Sequence, residues 1–189
     1  MNYSIIIYII GYVLQIEGLF LLLPCLTALC YRESSGFAFL FTAVLCFLLG
    51  KAATFRKPKN TVFYGREGFV TVSMCWIVLS IFGALPFLLN GDIPSVPDAL
   101  FETVSGFTTT GSTILTDIES LSKCSLFWRS FTHWIGGMGV LVFVLAVLPI
   151  AGGGSQMYLM RAESPGPSVN KLVPRVKNTA MILYGIYIV

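Results

Sequence analysis

Charged residues are scarce in this sequence. Only 11% of its 189 residues are charged, whereas 56% are hydrophobic and the mean hydropathy is +0.82. Because a soluble domain carries about 25% charged residues, this composition excludes an ordinary soluble fold and predicts an integral membrane protein. A net charge of +3 on a membrane chain gives no basis for nucleic-acid binding.

Several motifs that mark enzymes and metal sites are absent from the sequence. The five cysteines form no CxxC pair and no zinc-ligand spacing. There is no HExxH motif, no nucleophile elbow and no pair of carboxylates inside an apolar window. The GGGS stretch at 152–155 lacks the GK[ST] ending of a phosphate loop. We therefore expect that the protein is not an enzyme.

Four apolar windows are long enough to cross a membrane, which takes about 20 residues. They cover residues 5–31, 36–55, 69–89 and 127–150, and a fifth apolar stretch begins near Thr179. The sequence therefore predicts a multi-pass, all-α protein embedded in the lipid bilayer. No basic residue precedes the first window, which is longer than the core of a signal peptide, so we expect it to remain as a transmembrane helix.

Basic residues cluster in two of the connectors between these windows. The second connector and the residues beside it contain Lys51, Arg56, Lys57, Lys59 and Arg66, and the fourth contains Arg161, Lys171, Arg175 and Lys177. By the positive-inside rule, both connectors face the cytoplasm. The N-terminus is then cytoplasmic as well, and the connector of residues 90–125 lies outside.

The outer connector contains a short predicted helix in the stretch SVPDALFETVSGF, residues 95–107. Apolar residues recur there at helical spacing, and we expect Ser95 to cap the helix together with Asp98, in a variant of the capping box. About 11 residues reach roughly 16 Å, about half of the hydrocarbon core. The sequence therefore predicts a re-entrant helix that enters the membrane and returns.

The return segment is TTTGST, residues 108–113. Non-helical backbone at membrane depth is tolerated only where protein buries it or where it lines a water-filled path. Backbone carbonyl groups of Thr108 to Ser112 can replace the water shell of a monovalent cation, and the C-terminus of the preceding helix favours positive charge. At Gly111 we expect a φ value that a side chain would disfavour.

Acidic residues predominate around this segment. Asp92, Asp98, Glu102, Asp117 and Glu119 stand against Lys123 and Arg129. We expect an acidic outer mouth that concentrates cations, with Arg129 and His133 serving as interface anchors or as partners of its acids. Inside the first window, we interpret Gln15 and Glu17 as hydrogen-bonding to a neighbouring helix. Three glycines in the fourth window fit either close helix packing or a gating bend: Gly136, Gly137 and Gly139.

The order of these elements resembles the Trk-type potassium uptake proteins, the TrkH/KtrB family. The residues that carry the resemblance are SGFTTTGST, then WIGGMG, then YLMRAESPGP, and it runs through almost the whole chain. The resemblance implies that a unit of helix, pore helix and helix repeats four times around one pore, as in potassium channels. Residues 1–60 would be two extra N-terminal transmembrane helices, 61–155 the first repeat, and 156–189 a cytoplasmic connector and the start of the second repeat.

The resemblance also implies a site and partners. Thr109, Thr110, Gly111 and Ser112 match the first filter segment and would bind potassium through backbone carbonyls, with Thr108 as a further candidate. The expected setting is the inner or plasma membrane, with a homodimer of pore subunits and a cytoplasmic nucleotide-binding regulatory subunit of the TrkA/KtrA type. Transport by symport is expected, and the residues leave open whether sodium or protons are coupled.

The sequence departs from the family in having one filter segment instead of four. It ends in AMILYGIYIV, where about ten apolar residues reach only about 15 Å. We therefore expect an N-terminal fragment of a longer transporter, unable to transport alone. The alternatives are a split gene product completed by another chain, a homotetrameric channel subunit, and a non-transporting structural or assembly piece.

The basic clusters give a first testable prediction about topology. In a background without native cysteines, a cysteine at position 117 should react with a membrane-impermeant maleimide in intact cells. Cysteines at positions 59 and 171 should react only after permeabilisation. Protection of position 117 in intact cells would contradict both the orientation and the outer location of the TTTGST segment.

Overall fold

The structure is a computed structural model, and it describes residues 3–58 and 65–137 together with Gly139 and Gly185. Those residues form six α-helices and no β-strand, which confirms the predicted all-α fold. The helices are α1 (Tyr3–Phe20), α2 (Leu22–Tyr31), α3 (Gly36–Thr54), α4 (Gly65–Asn90), α5 (Val96–Phe107) and α6 (Lys123–Gly137).

Three stretches of the described chain are long and apolar enough to cross a membrane. They are Tyr3–Tyr31, Gly36–Thr54 and Gly68–Asn90, and they confirm the first three predicted spans within a few residues. Of the fourth predicted span, the structure describes only the part up to Gly137 and Gly139. The rest of that span, the GGGS stretch, the second basic cluster and the fifth apolar stretch lie outside the described residues.

The first span is broken into two helices. A turn at Leu21 separates α1 from α2, although the sequence pattern predicts one continuous helix. Pro24 explains the break, because proline has no N–H to donate to the carbonyl of Phe20, four residues earlier, and its ring crowds that carbonyl. The regular helical hydrogen bonding is therefore interrupted at Leu21, whose side chain is buried.

Small residues bring α1 and α3 close together. A Cβ added to Gly50 would lie 2.6 Å from the carbonyl oxygen of Gly11, and one added to Gly18 would lie 2.9 Å from the carbonyl oxygen of Ala43. Close approach of backbones at glycine is the usual way in which membrane helices gain dispersion contacts. The helix pair is also joined by Gln15, whose Nε2 donates to Thr54 Oγ1 at 3.0 Å, as predicted.

A layer of aromatic side chains joins the N-terminal helices to the later ones. Trp128 of α6 is fully buried, and its ring meets that of Phe39 of α3 edge to face at 6.4 Å. Its Nε1 donates a hydrogen bond of 2.9 Å to the carbonyl oxygen of Gly83 in α4. A buried indole N–H needs such a partner, so this contact fixes the height of α6 against α4.

The start of α5 differs from the predicted cap. Ser95 has extended backbone angles (φ −85°, ψ 125°), but its side chain makes no capping hydrogen bond. Only the Ser95 carbonyl takes part, accepting from the N–H of Ala99 at 2.9 Å. The predicted capping box is therefore wrong, although the helix itself is confirmed.

The start of α6 is capped by a residue that is distant in sequence. Glu33, in the turn between α2 and α3, accepts hydrogen bonds from the backbone N–H groups of Lys123 (3.0 Å) and Cys124 (3.3 Å). A carboxylate at this position is also favoured by the positive end of the helix dipole. Partial burial opposes the charge, but the hydrogen bonds from Lys123 and Cys124 outweigh it and lower the pKa of the Glu33 carboxyl.

This cap predicts a pH-dependent contribution to stability. Because folding lowers the carboxyl pKa, the contribution is full above the ordinary glutamate pKa and is lost as pH falls through the lowered value. Glu33→Gln, which keeps one acceptor oxygen but no charge, should reduce the free energy of unfolding by about 1 kcal/mol at pH 7. Thermal unfolding in detergent at several pH values measures this loss.

The matched control is Glu119→Gln, since the Glu119 side chain is exposed. The control should unfold like the parent at every pH, and the gap between Glu33→Gln and the parent should close in acid. A gap that stayed constant as the pH falls would show that the charge of Glu33 contributes nothing to the cap.

Candidate functional site

The helix α5 ends directly at the TTTGST segment. Its 12 residues reach about 18 Å, so its length agrees with the predicted re-entrant helix. The segment that follows, residues 108–114, is exposed along its whole length. All five predicted ligand residues, Thr108 to Ser112, therefore lie together at the C-terminal end of α5.

The N–H groups of this segment are bonded to the end of α5. Thr108 donates to the Val104 carbonyl at 2.8 Å and Thr109 to the Gly106 carbonyl at 2.9 Å. Thr110 and Gly111 both donate to the Ser105 carbonyl, at 3.0 and 3.4 Å. Carbonyl groups at a helix C-terminus have no partners within the helix. The segment satisfies them and is thereby held against α5.

Most carbonyl groups of the segment, unlike its N–H groups, have no hydrogen-bond partner among the described residues. Those of Thr109, Thr110 and Gly111 accept no hydrogen bond from any described residue. The φ angle is positive at Thr109 (57°) and at Gly111 (73°), so the segment is not a simple strand with carbonyls on alternate sides. Three successive carbonyl oxygens are thus available as acceptors. Their partial negative charge is what a cation requires.

The positive φ predicted at Gly111 is confirmed, and the one at Thr109 was not predicted. No atom of the described chain lies within 4 Å of a Cβ built on Gly111. A side chain at this position would therefore be disfavoured by the backbone angle and not by a clash within the chain. A threonine at positive φ is uncommon, because a β-branched side chain crowds the backbone there.

Ser105 holds the far end of the segment. Its hydroxyl donates to the carbonyl oxygen of Ser112 at 2.6 Å, while its own carbonyl accepts the N–H groups of Thr110 and Gly111. Ser105 was not among the residues predicted to belong to this site. Its position seven residues before Ser112, on the last full turn of a helix that ends at Phe107, is the signal that could have indicated the contact.

Glu102 and Arg129 form a buried ion pair behind the segment. Arg129 Nε lies 2.5 Å from Glu102 Oε1, and the Glu102 side chain is 1% exposed. Glu102 Oε2 accepts from Thr113 Oγ1 at 3.0 Å and from the N–H of Ile114 at 3.3 Å. The predicted pairing of Arg129 with an acid is confirmed. Placing Glu102 in the outer mouth was wrong, because its charge is used inside the protein.

The remaining acidic residues have different settings. Asp117 and Glu119 are exposed, whereas Asp98 is half-buried. Asp92 Oδ2 accepts hydrogen bonds from Ser122 Oγ at 2.8 Å and Ser125 Oγ at 2.5 Å, so it joins the α4–α5 loop to the start of α6. The acidic mouth is therefore smaller than the sequence predicts.

The helix α6 packs closely on the end of α5 through glycine. A Cβ on Gly136 would collide with the carbonyl oxygen of Phe107, and one on Gly106 would collide with Thr132 Oγ1. Close packing is thus the role that the structure gives to Gly136. Gly137 is exposed and Gly139 has a positive φ of 70°. For these two glycines, a gating bend stays a prediction.

Comparison with known proteins identifies the family. A family model for TrkH, described as a cation transport protein, matches residues 35–189. The chain belongs to this family. The match agrees with the resemblance noted in the sequence at SGFTTTGST, WIGGMG and YLMRAESPGP.

Named relatives cover the whole chain. The Trk system potassium uptake protein TrkH of Vibrio parahaemolyticus is 41% identical over 194 residues, which cover 100% of the chain and 39% of the relative. The Trk system potassium uptake protein TrkG of Escherichia coli K12 is 37% identical over 187 residues, covering 97% of the chain and 38% of the relative. The chain therefore spans about two fifths of the length of these relatives.

A solved structure confirms the predicted fold class. The crystal structure of the potassium transporter TrkH from Vibrio parahaemolyticus matches the chain with a TM-score of 0.75 and 37% identity. The match covers 100% of this chain and 37% of the solved one. The arrangement of the six described helices is therefore similar to that of a solved TrkH structure.

The two serines at the ends of the hydrogen bond give a matched pair of variants. Ser105→Ala removes the donor to the Ser112 carbonyl and should lower the free energy of unfolding by about 1 kcal/mol. Ser112→Ala keeps that carbonyl and its hydrogen bond, and the Ser112 hydroxyl has no partner among the described residues, so the loss should be much smaller. Denaturant unfolding in micelles compares the two. Equal losses would mean that the Ser105 hydroxyl does not hold the segment.

Proposed function

We propose that this TrkH family member is a pore-forming subunit for potassium uptake. In this proposal, the backbone carbonyls of Thr109, Thr110, Gly111 and Ser112 form one wall of the selectivity filter, with Thr108 at its inner end. The proposal rests on a difference between the backbone N–H groups and the backbone carbonyl groups of this segment. The N–H groups of the segment are bonded to α5, and three successive carbonyls have no partner among the described residues.

The chemistry of the segment favours a monovalent cation. Hard divalent ions are usually bound by carboxylates, whereas potassium is bound in channels by rings of carbonyl oxygens. The nearest carboxylate to the segment, Glu102, is already bonded to Arg129, Thr113 and Ile114. Two relatives named as potassium uptake proteins support potassium as the ion.

The helix α5 adds an electrostatic contribution as the pore helix. Its C-terminus adjoins the filter segment, and the C-terminal end of a helix carries about half a negative elementary charge. This end of the dipole favours a cation in front of residues 108–112. The exposed Asp117 and Glu119 would raise the local concentration of cations at the outer mouth.

One filter segment supplies only part of a coordination cage. We infer that the other walls come from further repeats of the same unit, as the family resemblance implies. Residues 1–60 then form the extra helix pair, 61–155 the first repeat, and 156–189 the cytoplasmic connector and the start of the second repeat. The same reasoning places the protein in the inner or plasma membrane with a cytoplasmic N-terminus.

The proposed partners follow from the family. A homodimer of pore subunits and a cytoplasmic nucleotide-binding regulator of the TrkA/KtrA type are expected, with transport by symport. The described residues include the basic Arg56 and Lys57 at the proposed cytoplasmic end of α3, where such a partner or lipid headgroups would lie.

Gly111→Ser tests the filter in a protein that carries this chain with three further filter segments. A serine at φ 73° costs about 1–2 kcal/mol in backbone strain, so the segment should change its backbone angles and move its carbonyls. The preference for potassium over sodium should fall, while uptake of total cation persists. Competing uptake of rubidium and sodium measures the ratio.

Gly91→Ser is the matched control. Gly91 has nearly the same φ (74°), its added Cβ also meets nothing within 4 Å, and it lies in the loop between α4 and α5. The control should show similar destabilisation and an unchanged selectivity ratio. If Gly111→Ser folds and also keeps the ratio of the parent, residues 109–112 are not the filter.

A further inference from the structure

A carboxyl group is buried in the membrane-spanning part of the fold without a partner. Glu17 of α1 is 2% exposed, and neither of its carboxylate oxygens has a hydrogen-bond partner in the described structure. The sequence predicted that Glu17 would hydrogen-bond to a neighbouring helix. That expectation was wrong for Glu17, although it was right for Gln15.

The surroundings of Glu17 connect it to the pore helix. A Cβ built on Gly83 of α4 would lie 3.4 Å from Glu17 Oε1, 2.9 Å from Thr103 Cγ2 and 3.2 Å from Phe107 Cε2. The carboxyl group therefore lies at the junction of α1, α4 and the last two turns of α5. Phe107 is the residue directly before the filter segment, and it is 1% exposed. The absence of a side chain at Gly83 leaves the room that the carboxyl group occupies.

Few charges face this junction. On α3, the Cys46 thiol is close enough to interact with a charge on Glu17, and the cation of this helix, Lys51, is exposed. The titratable or charged side chains on the other helices are Cys75 on α4 from residue 68 onwards, Cys25, Cys30 and Tyr31 on α2, Asp98 and Glu102 on α5, and Lys123, Cys124, Arg129 and His133 on α6. Arg129, which is half-buried, is paired with Glu102.

Without a cationic partner, an ionised carboxylate at this depth is far more costly than the neutral acid. The neutral form needs only to satisfy one hydroxyl and one carbonyl group, and it packs as a polar side chain of the same size. The ionised form would have to draw in water or a cation, and both need space between α1 and α4. Protonation of Glu17 and close packing of this junction are therefore coupled.

We propose that Glu17 is a proton-binding site that holds the last turn of the pore helix in place. With its proton bound, α1 packs against Gly83, and Phe107 is fixed behind the filter segment. Loss of the proton hydrates the junction, separates α1 from α4 and α5, and loosens the backbone that leads into Thr108. Glu17 is thus a positioning residue that acts through Phe107. Its effect on transport rests on the proposed potassium function, whereas the proton site itself does not.

The proton site can be tested on this chain in lipid vesicles by infrared spectroscopy. The parent should show the carbonyl band of a protonated carboxylic acid at pH 7, and this band should disappear only at alkaline pH, in the range where uptake is lost. It should be missing from both Glu17→Gln and Glu17→Met, which keep the side-chain volume, so that poor folding of one variant leaves the other informative. Glu119→Gln, at an exposed acid, should retain it. A spectrum with the same band in the parent and both Glu17 variants would overturn the proposal.

The consequence for the filter is tested by the pH profile of potassium uptake. The protein used should carry this chain with three further filter segments. The parent should lose uptake and potassium preference at alkaline pH, whereas Glu17→Gln should keep both, since its amide cannot ionise. Identical pH profiles for parent and Glu17→Gln would overturn the coupling to the pore helix. An infrared band that is assigned to Glu17, together with no potassium uptake by the parent, would support the proton site and overturn the proposed function.

Discussion

The described structure depends on the hydrogen bonds between the end of α5 and the segment after it. A short helix at membrane depth leaves its last carbonyls without partners, and unpaired polar groups are costly in a hydrocarbon environment. The N–H groups of Thr108 to Gly111 satisfy three of those carbonyls. The carbonyl groups of Thr109, Thr110 and Gly111 accept no hydrogen bond from the described residues. The other contacts around it, from Glu102, Ser105 and Gly136, stabilise this one arrangement.

Polar groups in the interior are used sparingly and mostly in pairs. Glu102 bonds Arg129, the Thr113 hydroxyl and the N–H of Ile114, and Trp128 bonds the carbonyl of Gly83. Each buried donor or acceptor that is matched in this way costs little, while a buried charge without a partner is expensive. Glu17 is the exception among the described carboxylates, because both of its oxygens are buried without a partner. Its charge therefore depends on its surroundings.

The sequence predicted those features that depend on composition and local period. Three spans and the short helix α5 follow from apolar length and helical spacing, and the glycine in TTTGST indicated the positive φ at Gly111. The exact partners of residues that meet across the fold could not be predicted. Glu102 looked like part of an acidic mouth because Arg129, 27 positions later, reaches it only in the folded chain. The break at Leu21 comes from Pro24, which removes one backbone N–H from an otherwise uniform apolar window.

The cap that Glu33 places on α6 has a consequence for how such proteins are assembled. Glu33 lies in the turn that joins the second helix of the chain to the third, just before residue 35, where the match to the family model begins. The N-terminal helices are therefore not an independent appendage, because they supply the acceptor for the first N–H groups of a helix nearly a hundred residues later. A homologue that lacks the extra helices must provide another acceptor at the same point, or begin this helix with a local capping residue. Removing these N-terminal helices and Glu33 from the present chain would leave the N–H groups of Lys123 and Cys124 without this acceptor, so truncation there changes the start of α6 as well as the periphery.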